Sequence, residues 1–219
     1  MAPPAGAGLL RVIVSDDGLP PVTASGWRVS DCKGSCSRVK VVRRVQLACE
    51  AEISAFQHLF DMQCWVFRFA NIVGPKARKV GRTVISDFVN RLLENPRKLL
   101  ILGNGLQAKS YLMSEECVEA MLYIVDHAKA PLNIYNLGCD DSLTVNRIAE
   151  MVVEAMGLKD VEFEYTGTEG GWLGDVPRFR LDVTALNRLG WKARCTSEQA
   201  VASAIRSMLQ EMEVARNSA

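Results

Sequence analysis

The sequence predicts an α/β protein, on three observations. From Leu47 onward, apolar runs of strand length alternate with amphipathic stretches of helical period. The run Cys64-Trp-Val-Phe-Arg-Phe69 is apolar enough to be covered on both faces, as strands of parallel sheets are. Capping residues and breakers punctuate the helical stretches at their ends.

Leu47 to Phe60 carries apolar residues all round a helix, with Cys49, Ile53, Phe56 and Phe60 on one stripe and Ala48, Ala51, Ala55 and Leu59 on another, so contacts on two sides are expected. Thr83 to Glu94 is amphipathic, with Val84, Ile85, Phe88, Val89, Leu92 and Leu93 inward, and Asn95-Pro96 stops it. A strand over Lys98 to Leu102, a turn at Gly103-Asn-Gly105 and a strand over Lys109 to Met113 follow. Ser114 is the expected N-cap of a helix to about Ala128, with Glu115 and Glu116 favoured in its first turn by the helix dipole. Asn133 to Leu137 is a strand, Thr144 caps a helix ending at Gly157, and Val161 to Tyr165 is a strand. Asp182 starts a short helix closed by Gly190, and Thr196 with Gln199 forms a capping box for a last helix, Ser197 to about Met212. Residues 1 to 46 mix Pro, Gly, Ser, Cys and Arg around a single short apolar run, Leu9 to Val14, and read as irregular.

At 219 residues, 48% apolar and 23% charged, the chain is long enough for a full core and one or two domains. A net charge of +1 gives no ground for a nucleic acid or an anionic membrane as partner. No apolar run nears the roughly 20 residues of a spanning helix. Met1 to Leu10 lacks the basic segment and apolar core of a signal peptide, so a cytoplasmic location is expected. Cysteines at 32, 36, 49, 64, 117, 139 and 195 are odd in number and irregular in spacing, which favours free thiols over a disulfide framework. Cys32, Cys36 and Cys49 lack a fourth ligand at a zinc spacing, and His58 and His127 are the only histidines, so no metal site is expected.

Gly103-Asn-Gly-Leu-Gln-Ala108 satisfies the relaxed dinucleotide fingerprint, but a strand rather than a helix follows it. A true fingerprint opens a helix, whose N-terminus receives the pyrophosphate, so a turn between strands is the expectation. Asp140-Asp141 and Glu115-Glu116 are paired acids beside helix starts, where capping and dipole terms account for them. Arg178, Arg180 and Arg188 read as a solvated face.

Three motifs carry a resemblance: Arg68-Phe-Ala-Asn-Ile-Val-Gly-Pro75, Leu102-Gly-Asn-Gly-Leu-Gln-Ala-Lys-Ser-Tyr111, and Gly174-Asp-Val-Pro177 followed by Leu189-Gly-Trp191. In this order and spacing, from Leu47 to about Gln210, the chain resembles the NAD-dependent epimerase/dehydratase family of extended short-chain dehydrogenases, especially its UDP-glucose 4-epimerase-like branch. The resemblance implies the end of a Rossmann-like NAD-binding fold, with a small α/β substrate-binding domain, over residues 47 to 219. It implies NAD as cofactor and a UDP-sugar as substrate. It places Phe69 near the nicotinamide and gives Asn71 the role of donor to the diphosphate or sugar. Thr83, Val84, Phe88, Leu100 and Leu102 would line the nucleotide groove, and Asp175 would accept from the ribose hydroxyls. The counterpart of the helix Leu47 to Phe60 packs in a dimer interface.

The chain departs from that pattern in ways that bear on chemistry. Lys109 stands where the family has a phosphate-binding Arg, keeping the charge and losing the bidentate fork. No Arg precedes Gly174-Asp175 within Thr166 to Asp175; Arg178 is the available substitute. Val42 and Gln46 stand where the family's catalytic Tyr and Lys belong, and neither side chain takes or lends a proton. Val41 to Gln46 can be encoded GTC GTA CGG CGC GTC CAA, and a reading one base later gives Ser-Tyr-Gly-Ala-Ser and then Lys or Asn, the family's usual lead-in to Leu47-Ala48. An out-of-frame segment before residue 47 and a divergent N-terminus both account for this. The expectation is a chain without epimerase activity by itself.

Overall fold

The structure is a computed structural model and describes residues 38–75, 83–167 and 180–217. In chain order its elements are α1 (Arg38–Phe60), β1 (Cys64–Phe69), β2 (Asn71–Val73), α2 (Val84–Glu94), β3 (Lys98–Ile101), β4 (Ala108–Lys109), β5 (Tyr111–Met113) and α3 (Ser114–His127). They continue as β6 (Leu132–Leu137), β7 (Leu143–Thr144), α4 (Val145–Ala155), β8 (Glu162–Tyr165), α5 (Thr184–Leu189) and α6 (Ser197–Asn217). Among the described residues four strand pairs form. β1 with β6, β2 with β5 and β3 with β8 are parallel, and β4 with β7 is antiparallel.

All six residues of β1 are buried, as its apolar composition requires. Alternation sends Cys64 and Val66 toward α1, where they pack with Ile53. It sends Trp65, Phe67 and Phe69 to the opposite face, against Ala120 and Ile124 of α3 and Leu186 of α5. A second core lies between α2, β3, α4 and α6, where Phe88, Leu92, Leu99, Ile101, Ile148, Val152, Val201 and Ile205 meet. Each such side chain contributes about 1.5–3 kcal/mol on burial.

α1 begins at Arg38 and not at Leu47, so residues 38–46 are helical where composition had suggested irregular chain. The stretch Arg38 to Gln46 contains no Gly or Pro; its Arg, Lys and Gln favour extension of an existing helix, and each of its Val residues opposes it by less than about 1 kcal/mol. The two apolar stripes expected on α1 are not both covered: Ile53 is buried, while Phe56, Leu59 and Phe60 are exposed.

α2 is held by a reciprocal capping box: Thr83 Oγ1 accepts from Ser86 N (3.1 Å) and Ser86 Oγ accepts from Thr83 N (2.8 Å). The box at Thr196 and Gln199 forms as the sequence predicts (2.9 and 3.2 Å). Ser114 is not the N-cap of α3. Met113 has the cap's extended backbone, because β5 runs into α3 without a connecting residue, and Ser114 Oγ instead donates to Glu115 (2.9 Å).

Candidate functional site

The site is built where β1 ends. Past Phe69 the chain passes Ala70, whose N–H is bonded to Leu137 O of β6 (2.8 Å), and becomes β2 at Asn71. Asn71 N–H is bonded to Ser110 O (3.2 Å), and Asn71 lies opposite Tyr111 in the parallel register. Lys109 precedes Ser110 at the end of β4. The Asn71 backbone is therefore bonded next to Lys109 in the chain, beyond the carboxyl end of a parallel strand, where open α/β sheets bind ligands.

Ser110 is the fixing point of this crossing. It is fully buried; its hydroxyl donates to Cys139 O (3.0 Å) and accepts from Cys139 N (3.0 Å), tying β4 and β5 to the loop leaving β6. One residue on, Tyr111 N–H is bonded to Ser197 Oγ (2.9 Å) at the start of α6. Asp141 receives Ser197 through its N–H (3.1 and 3.0 Å) and hydroxyl (2.7 Å). The acid pair Asp140-Asp141 thus serves two distant helices: Asp141 holds α6, and Asp140 accepts from Asn187 of α5 (3.3 Å). Glu116 is buried and holds the approach to α6, accepting from Arg194 N (2.9 Å) and Cys195 N (3.2 Å).

The residues of Arg68-Phe-Ala-Asn-Ile-Val-Gly-Pro75 divide their tasks. Arg68 is buried on the α1 side of β1 and forms a bidentate pair with Glu50 (Nε to Oε1 2.8 Å, Nη2 to Oε2 2.6 Å), which fixes how α1 lies on the sheet. Gly74 lets β2 pass over the start of α3, since a methyl group there would collide with the Ser114 side chain.

The remaining residues singled out in the sequence occupy varied positions. Phe69 is 6% exposed, with its ring in the core beside Phe67 and Leu112. The Thr83 hydroxyl is engaged in capping α2, Val84 is half-buried, and Phe88 lies in the core at 4% exposure. Leu100 and Leu102 are exposed on the outer side of β3, whose inner residues Leu99 and Ile101 are fully buried. Arg91 of α2 donates to Leu100 O (2.8 Å). Asp175 and Arg178 lie outside the described residues, as does Gly174-Asp-Val-Pro177. Gly103 to Ala108 joins β3 to β4 as a turn and opens no helix. Gly105 has φ +75°, and a side chain there would strike Asn146 at the start of α4.

The model of the NAD dependent epimerase/dehydratase family matches residues 41–138, which span α1 through β6 and both sides of the Asn71–Ser110 crossing. Over that stretch the chain is similar to the family. It is 26% identical over 158 residues to the dTDP-D-glucose 4,6-dehydratase of Mus musculus, covering 70% of this chain and 43% of the relative. It is likewise 26% identical over 151 residues to the putative UDP-glucose 4-epimerase of Methanocaldococcus jannaschii, covering 65% of this chain and 45% of the relative. Among solved structures, a UDP-galactose 4-epimerase superposes with a TM-score of 0.68 at 32% identity, over 80% of this chain and 55% of that one. The chain spans less than half the length of the two curated relatives.

In this family NAD is the implied cofactor. The described residues do not fit it unaided: Phe69 is packed into the core, and the one strand-following glycine pattern among them is the Gly103–Ala108 turn between β3 and β4. The crossing of Asn71 and Lys109 offers an uncharged amide and an ammonium, chemistry suited to a diphosphate or a sugar hydroxyl.

Proposed function

We propose that this chain is the substrate-holding part of an NAD-dependent nucleotide-sugar epimerase or dehydratase, nearest in kind to UDP-glucose 4-epimerase, and that it binds a UDP-sugar through its diphosphate. The supporting observation is the crossing at Ser110, where the Asn71 backbone is bonded to the residue that follows Lys109, beyond the end of β1. In this reading Asn71 donates to the diphosphate or sugar and Lys109 supplies the cation. Thr83, Val84, Leu100 and Leu102 lie toward the nucleotide, with Phe88 supporting them from the core, and Asp175 accepts from the ribose. NAD is the cofactor of the complete catalytic unit, with Phe69 on its nicotinamide side; this chain alone does not hold it. Five free cysteines among the described residues accord with a cytoplasmic location. Self-association runs through α1.

The chain alone does not epimerise UDP-glucose, because positions 42 and 46 carry Val and Gln in place of a Tyr and a Lys. General acid–base help is worth about 10²- to 10⁴-fold, and without bound NAD no hydride is transferred. Titration of the purified chain with UDP and with dTDP, followed by NMR, tests the binding. Weak UDP binding lost in Asn71→Ala supports the reading, and no shift at either residue rejects it. Turnover of UDP-glucose to UDP-galactose by the chain alone, sensitive to Asn71→Ala, would reject the inactivity. Sequencing genomic DNA around codon 46 separates the shifted reading from a divergent N-terminus.

A further inference from the structure

The loop leaving β6 and the segment entering α6 meet at two cysteines. Cys139 is buried at 4% exposure, and its Sγ lies 3.3 Å from the carbonyl oxygen of Cys195 and 3.0 Å from that of Tyr111. Cys195 is half-exposed, and neither residue is in a disulfide. The Cys139 backbone is fixed from both sides by Ser110 Oγ, and Cys195 is fixed by its N–H on Glu116 and by the following cap of Ser197 on Asp141. Two cysteines on held segments, with one thiol against the other's backbone carbonyl, are neighbours across this junction.

We propose that Cys139 and Cys195 form a reversible disulfide that staples the loop after β6 to the start of α6 when the protein meets a peroxide. Burial, with Asp141, Glu116 and Cys195 adding to it, pushes the Cys139 thiol up to about 12, so at neutral pH it is the protonated, sheltered partner. Cys195, nearer the surface, meets the oxidant first. Its thiolate attacks the O–O bond, becoming a sulfenic acid while the peroxide's other oxygen leaves as hydroxide and is protonated to water. The Cys139 sulfur then attacks the Cys195 sulfur, the S–OH bond breaks, and the hydroxyl leaves as water with the Cys139 proton. Two thiols are oxidised and one hydrogen peroxide is reduced to two waters. Ser110 and Tyr111, which these same segments hold, lie next to Lys109 and Asn71, so the staple fixes the frame of the candidate site. The proposal does not depend on which ligand that site takes.

The test is treatment of the full chain with hydrogen peroxide, then peptide mass mapping without reduction and thermal unfolding. The expected result is an intrachain Cys139–Cys195 peptide, removed by dithiothreitol, with Tm raised by roughly 5–15 °C for a loop of this length. Both effects are absent in Cys195→Ser and retained in Cys117→Ser. Should Cys139→Ser fail to fold, the wild-type map together with Cys195→Ser decides the matter. Pairing of Cys195 with another cysteine, persistence of both thiols, a sulfinic acid without a link, or an unchanged or lowered Tm in the linked form overturns the proposal.

Discussion

At the scale of single residues, the motif around Asn71 shows how one short sequence serves structure and site together. Arg68 is committed to Glu50 and Gly74 to the passage over α3, while Asn71 is the polar side chain assigned to the ligand in the proposed reading. The Arg68–Glu50 pair is buried on both sides, and removing one partner leaves a charge without compensation. Arg68→Ala is therefore expected to cost about 3–5 kcal/mol, measured by urea unfolding. Arg68→Leu combined with Glu50→Leu should recover much of that loss, and a double variant as unstable as the single one would show that something other than the charge pair is at stake. At Lys109, one ammonium in place of a guanidinium forfeits one of two charge-assisted bonds, each worth about 1.5–3 kcal/mol. UDP should bind near millimolar, with Lys109→Arg roughly ten- to a hundredfold tighter and Lys109→Ala without measurable binding. Equal affinity in all three by calorimetry would remove Lys109 from the site. Asn71 and Lys109 are proposed from the sequence because they sit in motifs. Ser110 and Cys139 were not legible there: their bond joins residues 29 apart, and a Ser at a strand break carries no local signal of a tertiary partner.

At the scale of elements, strand and helix identities follow from period and caps, and the differences lie where tertiary contacts outrank local chemistry. Thr83, Thr144 and Thr196 cap the helices they precede, as hydroxyls that reach a free N–H two or three residues on. Ser114 had the same local promise and lost the role because β5 and α3 are continuous. The acids Asp141 and Glu116 have the composition of local dipole partners and instead grip α6 from two other elements. Asp141→Ala is thus expected to cost about 1–2 kcal/mol, as loss of a good N-cap does, and to speed hydrogen exchange at Ser197 and the first turn of α6. Glu116→Ala leaves two backbone donors unmatched and should cost more. Exchange accelerated at the first turn of α4 instead would assign Asp141 to its own neighbouring helix.

At the scale of the whole molecule, the apolar surface of α1 stands apart from the two cores. Phe56 (49% exposed) and Phe60 (53%) stack at 5.5 Å between ring centres, with Leu59 (74%) beside them. Burying three such side chains would contribute several kcal/mol, so a second copy is the partner expected for this face. β1 adds to the tendency: it is apolar on both faces, and its sole strand partner among the described residues is β6. The sequence marked α1 as needing two sides covered, and the structure supplies one, through Ile53 and Glu50. The purified chain should therefore self-associate at micromolar concentration, with sedimentation coefficients that fall on dilution. Leu59→Glu with Phe60→Glu should shift it toward monomer while leaving helix content unchanged, because neither side chain belongs to a core. A monodisperse monomer insensitive to concentration would mean that other parts of the chain cover α1, and association persisting undiminished in the double variant would move the contact to the β1 edge.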